Sequence, residues 1–393
     1  MDNLTDYIRW MGDIPFDRYP LNEADALVLC MLSYYDFSPL FSARAESRPL
    51  RDSLRLIEDD RVRVMLVGRD RGFRALLEYA ARSRRYGELM MRDYVDLRRQ
   101  EPPLQFAALC FDAPEFRFVA YRGTDASLAG WEEDFMISFT ITEAQELAAR
   151  YAREHASDSR PMYIGGHSKG GNLALYAACG LPEEQWRQVE HVYLLDGPGL
   201  CPEVMDTDCI QRIDPKTTRI LPTFSVVGKL FEPPIRDSRI VYSSASGIVQ
   251  HSLDTWGIDH GKLALAPEAS PRSRWINETI SRWIEGISQE NRAVFVRELF
   301  DALAANGAES LDDIEANGVS GFEAILGKLF SSSEVTRETI YDLPKRAILG
   351  EHYDAIEQIG FSSWLRQRLR EHSGTEAEAS PDAGKEQEQE DVF

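Results

Sequence analysis

With 393 residues, 43% of them hydrophobic and 10% aromatic, the chain can form one large domain with appendages or two domains. Its formal net charge of -21 argues against a nucleic-acid-binding protein, because phosphate backbones are bound by basic surfaces. The start of the chain lacks the basic and long apolar regions of a signal peptide, and the longest apolar run there, residues 26–32, is too short to cross a bilayer.

The cysteines bear on the compartment in which the protein works. They are odd in number and show no C-x-x-C spacing, and most of them lie in apolar runs: Cys30, Cys110, Cys179, Cys201 and Cys209. This pattern is typical of buried thiols in a reducing compartment. We therefore expect a cytoplasmic protein without a transmembrane segment.

Residues 1–100 are predicted to be largely helical. Asn22 can cap an apolar helix that continues towards Phe37. The stretch from Arg71 to Arg98 is rich in Arg and Ala, and its apolar residues give it a partly apolar face. The basic side of this stretch is most simply a solvated face.

The middle of the chain alternates strands and helices. Residues 105–111 and 116–121 read as the two strands of a hairpin, and Thr142 with Gln145 forms a capping box that begins a helix. After a strand and helix at residues 162–179, with Gly180 placed to end the helix, three further strands are predicted over residues 191–195, 219–227 and 239–243. The alternation predicts an α/β fold with a mostly parallel sheet and helices on both faces.

Past residue 270 the apolar pattern changes. From Pro271 the apolar residues recur at helical spacing, whereas residues 373–393 are acidic and show no apolar pattern. We expect an α/β domain over residues 1–270 with a helical N-terminal segment (1–100). A helical C-terminal extension (271–372) and a disordered acidic tail (373–393) are predicted to follow.

The stretch of residues 162–174 carries the strongest functional signal. Gly166, Ser168 and Gly170 fit the G-x-S-x-G pattern, and they lie between the predicted strand and helix. This context is typical of a nucleophile elbow, in which a strained turn raises the serine hydroxyl above the sheet. Side chains at either glycine would collide with the neighbouring strand and helix. The pattern therefore predicts that Ser168 is a catalytic nucleophile.

A serine nucleophile needs a base, and the base needs an acid to orient it. His251 follows the last predicted strand, where the base is expected, and His260 lies nine residues beyond as an alternative. Asp196 follows the strand after the elbow unit, and Glu232 follows the next strand. We predict His251 as the base and Asp196 as the acid, with Glu232 left open as the alternative acid.

An attacked ester carbonyl becomes an oxyanion, which needs fixed hydrogen-bond donors. The backbone amide of Lys169, after the nucleophile, is one predicted donor. The other is Thr124, in a loop where Gly123 lets the backbone approach closely, and Asp134 is placed to fasten that loop. The Lys169 side chain is predicted either to pair with a nearby carboxylate or to face the mouth of the site and favour anionic substrates.

Together these motifs resemble the class 3 lipase branch of the α/β-hydrolases. The matching residues are Tyr-Arg-Gly-Thr at 121–124, Trp-x-x-Asp at 131–134 and the elbow at 166–170. Residues 22–37, 165–174, 196–199, 250–251 and Trp256 more closely resemble the Mbeg-like family of bacterial proteins. The resemblance implies an α/β-hydrolase fold, a serine triad with Ser168 and His251, and an oxyanion donor at Thr124. Class 3 lipases place their acid near residues 227–228, where this chain has no Asp.

The predicted function is that of a serine hydrolase acting on a small-molecule or lipid ester, without metal or cofactor and without a nucleic-acid partner. A thioesterase or peptidase that uses the same serine is one alternative. A catalytically inactive binding protein with the same fold is the other. The sequence leaves the oligomeric state open.

Overall fold

The computed structural model describes residues 2–43, 46–65, 72–102, 104–124, 141–156, 160–200, 206–225 and 227–270, together with positions 291, 294, 298 and 333. All of them belong to one unit of the chain, Met1–Thr339. The predicted C-terminal extension, apart from positions 291, 294, 298 and 333, and the predicted acidic tail lie outside the described residues.

A mixed sheet forms the centre of the described structure. Its nine strands lie in the order β1-β2-β3-β4-β5-β6-β7-β8-β11, and β9 and β10 form a separate two-stranded ribbon. Neighbouring strands from β4 to β8 are parallel, and the other pairs of the sheet are antiparallel. The eleven strands are β1 Ser47–Pro49, β2 Met90–Arg99, β3 Leu104–Asp112, β4 Arg117–Tyr121, β5 Met162–His167, β6 Val189–Leu195, β7 Thr217–Pro222, β8 Asp237–Val241, β9 Ile258–Asp259, β10 Lys262–Leu263 and β11 Leu265–Ala266.

The predicted α/β alternation is confirmed for the parallel part of the sheet, and the predicted hairpin is the β3–β4 pair. The sheet is mixed, because antiparallel strands extend its parallel part at both edges. The short edge strands β1 and β11 were not predicted, because each is too short to show an alternating pattern of its own.

Helices cover both faces of the sheet. The described α-helices are α1 Leu4–Met11, α2 Glu23–Leu32, α3 Leu54–Glu58, α4 Phe73–Arg82, α5 Glu143–His155, α6 Lys169–Cys179, α7 Glu183–Trp186 and α8 Thr207–Ile213. The predicted caps are confirmed. The Asn22 side chain accepts hydrogen bonds from two backbone amides at the start of α2, Thr142 and Gln145 form a capping box at α5, and Gly180 ends α6.

The apolar residues form a cluster on each face of the sheet. One contains the residues of α1, α2 and α4, and the other contains those of α5 and α6. Helix α2 is buried from Ala24 to Leu32, as expected for a helix whose apolar residues lie all round it. The N-terminal segment is therefore part of the central core and not an appendage to it.

The prediction that residues 1–100 are largely helical is wrong for residues 90–99 near the end of this segment. Met90–Arg99 form the long strand β2, which pairs antiparallel with β3. Long polar residues along this strand obscured the pattern, because its burial does not alternate strictly and a bulge shifts the register between Arg92 and Val95.

A buried ion pair fastens the N-terminal segment. The guanidinium of Arg85 contacts both carboxylate oxygens of Asp25, at 2.8 and 2.6 Å, and neither side chain is exposed. The same guanidinium donates to the backbone carbonyls of Ile14 and Tyr19, both at 2.9 Å. Tyr86 donates to Asp25 at 2.6 Å. This network satisfies two buried charges and ties three parts of the chain together.

The cysteines depart from the prediction of unpaired thiols. Cys30 and Cys110 are buried and free, and burial raises the pKa of both thiols. Cys179 at the end of α6 and Cys209 in α8 form a disulfide, with their Cα atoms 5.5 Å apart. The pairing comes from the packing of two helices thirty residues apart in sequence, which spacing alone does not reveal. Cys201 lies outside the described residues.

Two further observations concern ligands and membranes. In the part of the chain that the structure describes, no helix combines the length and the apolar character needed to span a membrane. The same residues contain no group of three or more His, Cys, Asp or Glu side chains placed to hold a metal ion.

The Arg85 network gives a prediction for stability. Arg85→Met should lower the free energy of unfolding by about 3–5 kcal/mol, because it leaves the Asp25 charge buried without its partner. Arg82→Ala is the matched control, since Arg82 is exposed and its ion pair with Glu78 lies within the same helix; its cost should stay below about 1 kcal/mol. Urea denaturation followed by circular dichroism measures both, and equal costs would contradict a special role for Arg85.

Candidate active site

Ser168 stands at the turn between β5 and α6. Its backbone adopts φ 59° and ψ -131°, a strained conformation for a residue with a side chain. The backbone amide of Ser168 donates to the Leu195 carbonyl at 3.0 Å, which fixes the turn against the end of β6. The side chain does not cap α6, so the hydroxyl is not engaged by the helix that it precedes.

The two elbow glycines permit this turn by close backbone packing. A Cβ atom at Gly166 would collide with the Gly170 carbonyl in the first turn of α6. A Cβ at Gly170 would collide with the carbonyl of Tyr121 at the end of β4. The steric requirement predicted for both glycines, contact with helix and strand, is confirmed by these contacts.

The predicted oxyanion loop follows β4 and lies directly beside Ser168. A Cβ at Gly123 would come within 2.9 Å of the Ser168 Cβ and 2.6 Å of the His167 carbonyl oxygen, so a residue with a side chain would force the loop away. Thr124 is 6% exposed. Before the loop, Arg122 contacts both carboxylate oxygens of Asp96 on β2, at 3.0 and 2.9 Å. The loop is therefore anchored at its start and packed against the nucleophile.

Two other predicted residues of this region have different outcomes. The backbone amide of Lys169 opens α6 directly after Ser168, as predicted, where helix amides point at a nearby oxygen. The Lys169 side chain is only 1% exposed, which disfavours an ammonium group presented at an open mouth of the site. Asp134 and its proposed fastening of the loop lie outside the described residues.

His251 and Asp196 are hydrogen-bonded to each other. Nδ1 of His251 lies 2.6 Å from Oδ2 of Asp196. Asp196 follows β6 and is completely buried, whereas His251 follows β8 and its side chain is 20% exposed. Because the carboxylate engages Nδ1, the opposite ring nitrogen, Nε2, is the one that remains for a serine hydroxyl.

The pair lies beside the elbow. The ring of His251 lies 4.5 Å, centroid to centroid, from the ring of His167, the residue before Ser168. Among the described residues, no hydrogen bond joins the Ser168 hydroxyl to His251. Contacts of this kind are often long in the absence of substrate and shorten in the reacting complex.

Supporting residues surround the pair, and the sequence analysis assigned none of them a role in the site. Ser225, which follows β7, donates from Oγ to the second carboxylate oxygen of Asp196 at 2.5 Å. The Gln250 side chain accepts hydrogen bonds from Thr223 and from the Phe224 amide, at 2.8 and 2.9 Å. The Gln250 carbonyl accepts from the buried indole of Trp256 at 2.8 Å. These contacts hold the His251 loop on both sides.

The alternative acid and the alternative base are placed elsewhere. Glu232 accepts from Arg219 at 2.7 Å and from Lys229 at 2.6 Å. Partial burial alone would raise the pKa of Glu232, but these two cations hold it below its usual value. His260 is 93% exposed, pairs with Asp259 and has no described contact with either carboxylate candidate.

The absence of a side chain at Gly228 leaves room for the carboxylate of Asp196. A Cβ at this glycine would collide with Oδ1 of Asp196 and with a methyl group of Leu221. The carboxylate of Asp196 thus occupies the space into which a side chain from position 228 would project. Position 228, near which the resemblance to class 3 lipases places the acid, therefore faces the same small volume from the 3-10 helix Val227–Lys229 that follows β7.

Chemically, the site combines a hydroxyl on a strained turn, a histidine oriented by a buried carboxylate, and a loop with backbone amides beside the hydroxyl. A hydroxyl, a base and an acid in this arrangement are the parts required for nucleophilic acyl transfer.

Comparisons with known proteins add a family. Among solved structures, the chain is similar to the M37 lipase, with 16% identity, a TM-score of 0.33, and coverage of 53% of this chain and 70% of that one. It is also similar to the lipase from Rhizopus microsporus var. chinensis, with 12% identity, a TM-score of 0.31, and coverage of 61% and 88%. No curated protein sequence matches it. The Mbeg1-like family model matches residues 80–301, more than half of the chain, and the chain therefore belongs to the Mbeg1-like family.

Proposed function

We propose that the protein is a serine hydrolase with the α/β-hydrolase fold that cleaves carboxylic esters, of acyl or lipid-like type, through an acyl-enzyme on Ser168. The observation that carries the proposal is the 2.6 Å hydrogen bond between His251 and the buried Asp196, beside a serine on a strained turn. Burying a carboxylate and an imidazole costs both groups their hydration, which their hydrogen bond offsets, and such pairs are concentrated at functional sites.

In the proposed reaction, Nε2 of His251 takes the proton of the Ser168 hydroxyl while the oxygen attacks the ester carbonyl. Asp196 keeps Nδ1 protonated and stabilises the imidazolium that forms. The oxyanion accepts hydrogen bonds from the Lys169 amide and from Thr124. His251 then gives its proton to the leaving alcohol, and a water molecule, deprotonated in the same way, releases the acid and restores Ser168.

The first prediction concerns the nucleophile. Ser168→Ala should retain the fold, because the hydroxyl makes no described hydrogen bond, and should lower ester hydrolysis by about 10⁴-fold or more. Labelling with a fluorophosphonate, detected by the mass of the peptide that contains residue 168, reports the same step independently. Normal hydrolysis by the variant would exclude Ser168 as the nucleophile. Absence of labelling in the wild-type protein would favour the non-catalytic alternative.

The second prediction concerns the acid. Asp196→Asn should lower kcat by about 10⁴-fold, because the amide no longer stabilises the imidazolium and selects the wrong tautomer. Asparagine tolerates the φ of 44° at this position, so the backbone should not change. Glu232→Gln is the matched control and should leave kcat within about threefold of the wild-type value, since Glu232 contacts Arg219 and Lys229. Steady-state kinetics on one soluble ester compares them, and the reverse ranking would transfer the role to Glu232.

The third prediction tests whether position 228 can supply the carboxylate. Asp196→Gly should be nearly inactive, and the added Gly228→Asp should restore labelling of Ser168 by at least about tenfold over that variant. The physical reason is that the new side chain enters the volume vacated by Asp196, provided that the Leu221 methyl group moves aside. Gly228→Asp alone should destabilise the protein, because both carboxylates would compete for one site. If the double variant labels Ser168 no faster than Asp196→Gly does, a carboxylate at position 228 cannot replace the one at position 196.

A further inference from the structure

His167, the residue between Gly166 and Ser168, is buried and has both ring nitrogens engaged. Nε2 lies 2.7 Å from the backbone carbonyl oxygen of His251. Nδ1 lies 2.8 Å from the hydroxyl of Tyr34, which follows α2 in the N-terminal segment. A chain of two hydrogen bonds therefore runs from the N-terminal segment through the elbow to the backbone of the proposed base.

The donors and acceptors in this chain can be assigned from chemistry alone. A carbonyl oxygen only accepts, so Nε2 of His167 carries a proton and donates to His251. In a neutral imidazole, Nδ1 then accepts, and the Tyr34 hydroxyl is its donor. Burial and the neighbouring His251 both hold the pKa of His167 well below its usual value, which agrees with a neutral ring.

We propose that Tyr34 and His167 are positioning residues that fix the backbone of His251 so that its ring can meet both Asp196 and Ser168. The effect of this positioning on kcat rests on the proposed function, in which His251 is the base. His251 ends a short 3-10 helix, Gly247–His251, and its side chain is partly exposed. The contacts of Gln250 hold the preceding residue, whereas His167 binds the carbonyl of His251 itself. His167 is the residue directly before Ser168, so the same part of the elbow holds both the proposed base and the proposed nucleophile.

The Tyr34 hydroxyl also touches the third part of the site. A Cβ at Gly123 would collide with this hydroxyl, so the loop that carries Thr124 packs directly against Tyr34. One phenol thus contacts the elbow histidine and the oxyanion loop at once. A neutral His167 also favours the proposed reaction. The centroids of the His167 and His251 rings lie 4.5 Å apart, so a positive charge on His167 would destabilise the His251 imidazolium that forms during the reaction.

The chain offers a matched control one residue away. Tyr35 is as buried as Tyr34, and its hydroxyl donates to the Phe73 carbonyl at 2.6 Å, on the side of α4. Tyr35→Phe therefore removes a buried hydrogen bond of the same kind without touching His167. A merely structural role for Tyr34 would make Tyr34→Phe and Tyr35→Phe equivalent in both stability and activity.

The kinetic experiment compares four variants on a soluble short-chain ester. Tyr34→Phe should lower kcat by about tenfold with KM nearly unchanged, and His167→Leu should lower it further, because the His251 carbonyl loses its donor. His167→Gln should recover most of the activity lost in His167→Leu, since its amide nitrogen can occupy the position of Nε2. Tyr35→Phe should keep the wild-type kcat. Equal kcat values in Tyr34→Phe, His167→Leu and the wild type would overturn the proposal.

A second readout separates this proposal from the proposed function. The proton on Nδ1 of His251, shared with Asp196 over 2.6 Å, should give a downfield proton NMR signal in the wild type and in Tyr35→Phe. The signal should broaden or disappear in Tyr34→Phe and His167→Leu and persist in His167→Gln. This pattern in a protein that hydrolyses no ester would support the positioning role and reject only the activity. An unchanged signal in all four variants would reject the positioning role.

Discussion

Close packing of backbone against backbone around Ser168 is the constraint on which the site depends. Gly166, Gly170 and Gly123 each face a carbonyl oxygen at a distance that no side chain would permit. Holding Ser168 at a positive φ costs about 1–3 kcal/mol, which the surrounding helix and strands must offset. In return, the serine projects from the end of β5, where the loops of β4, β6 and β8 converge.

The second constraint is the burial of a negative charge. The Asp196 side chain is 1% exposed and has lost its hydration, so its oxygens need donors from the protein. His251 supplies one donor and Ser225 the other. Asp196, Ser225 and His251 follow β6, β7 and β8, respectively. These strands are parallel, so their carboxyl ends lie at the same edge of the sheet. The topology therefore brings together three residues that lie far apart in sequence.

Sequence alone predicted the local features and, from the order of the strands, the pairing of His251 with Asp196, but it missed other long-range contacts. The elbow, the caps at Asn22 and Thr142 and the strands of the parallel part were predictable, because each depends on neighbouring residues. The partners of Ser225 and Tyr34 were not, because their hydrogen bonds span 29 and 133 residues. Strand β2 was missed for a different reason, since long polar residues along it and a bulge leave no clear period.

The N-terminal segment links stability to the geometry of the site. Helix α2 packs on the elbow strand so closely that a Cβ at Gly165 would lie 3.1 Å from the Cys30 sulfur. The same helix begins at Asn22, carries Asp25 for the buried pair with Arg85, and leads into Tyr34. Loosening the ion pair would therefore shift the helix that delivers the Tyr34 hydroxyl to His167. Because interiors are close-packed, a displacement at one end of α2 has little room to relax before it reaches the elbow.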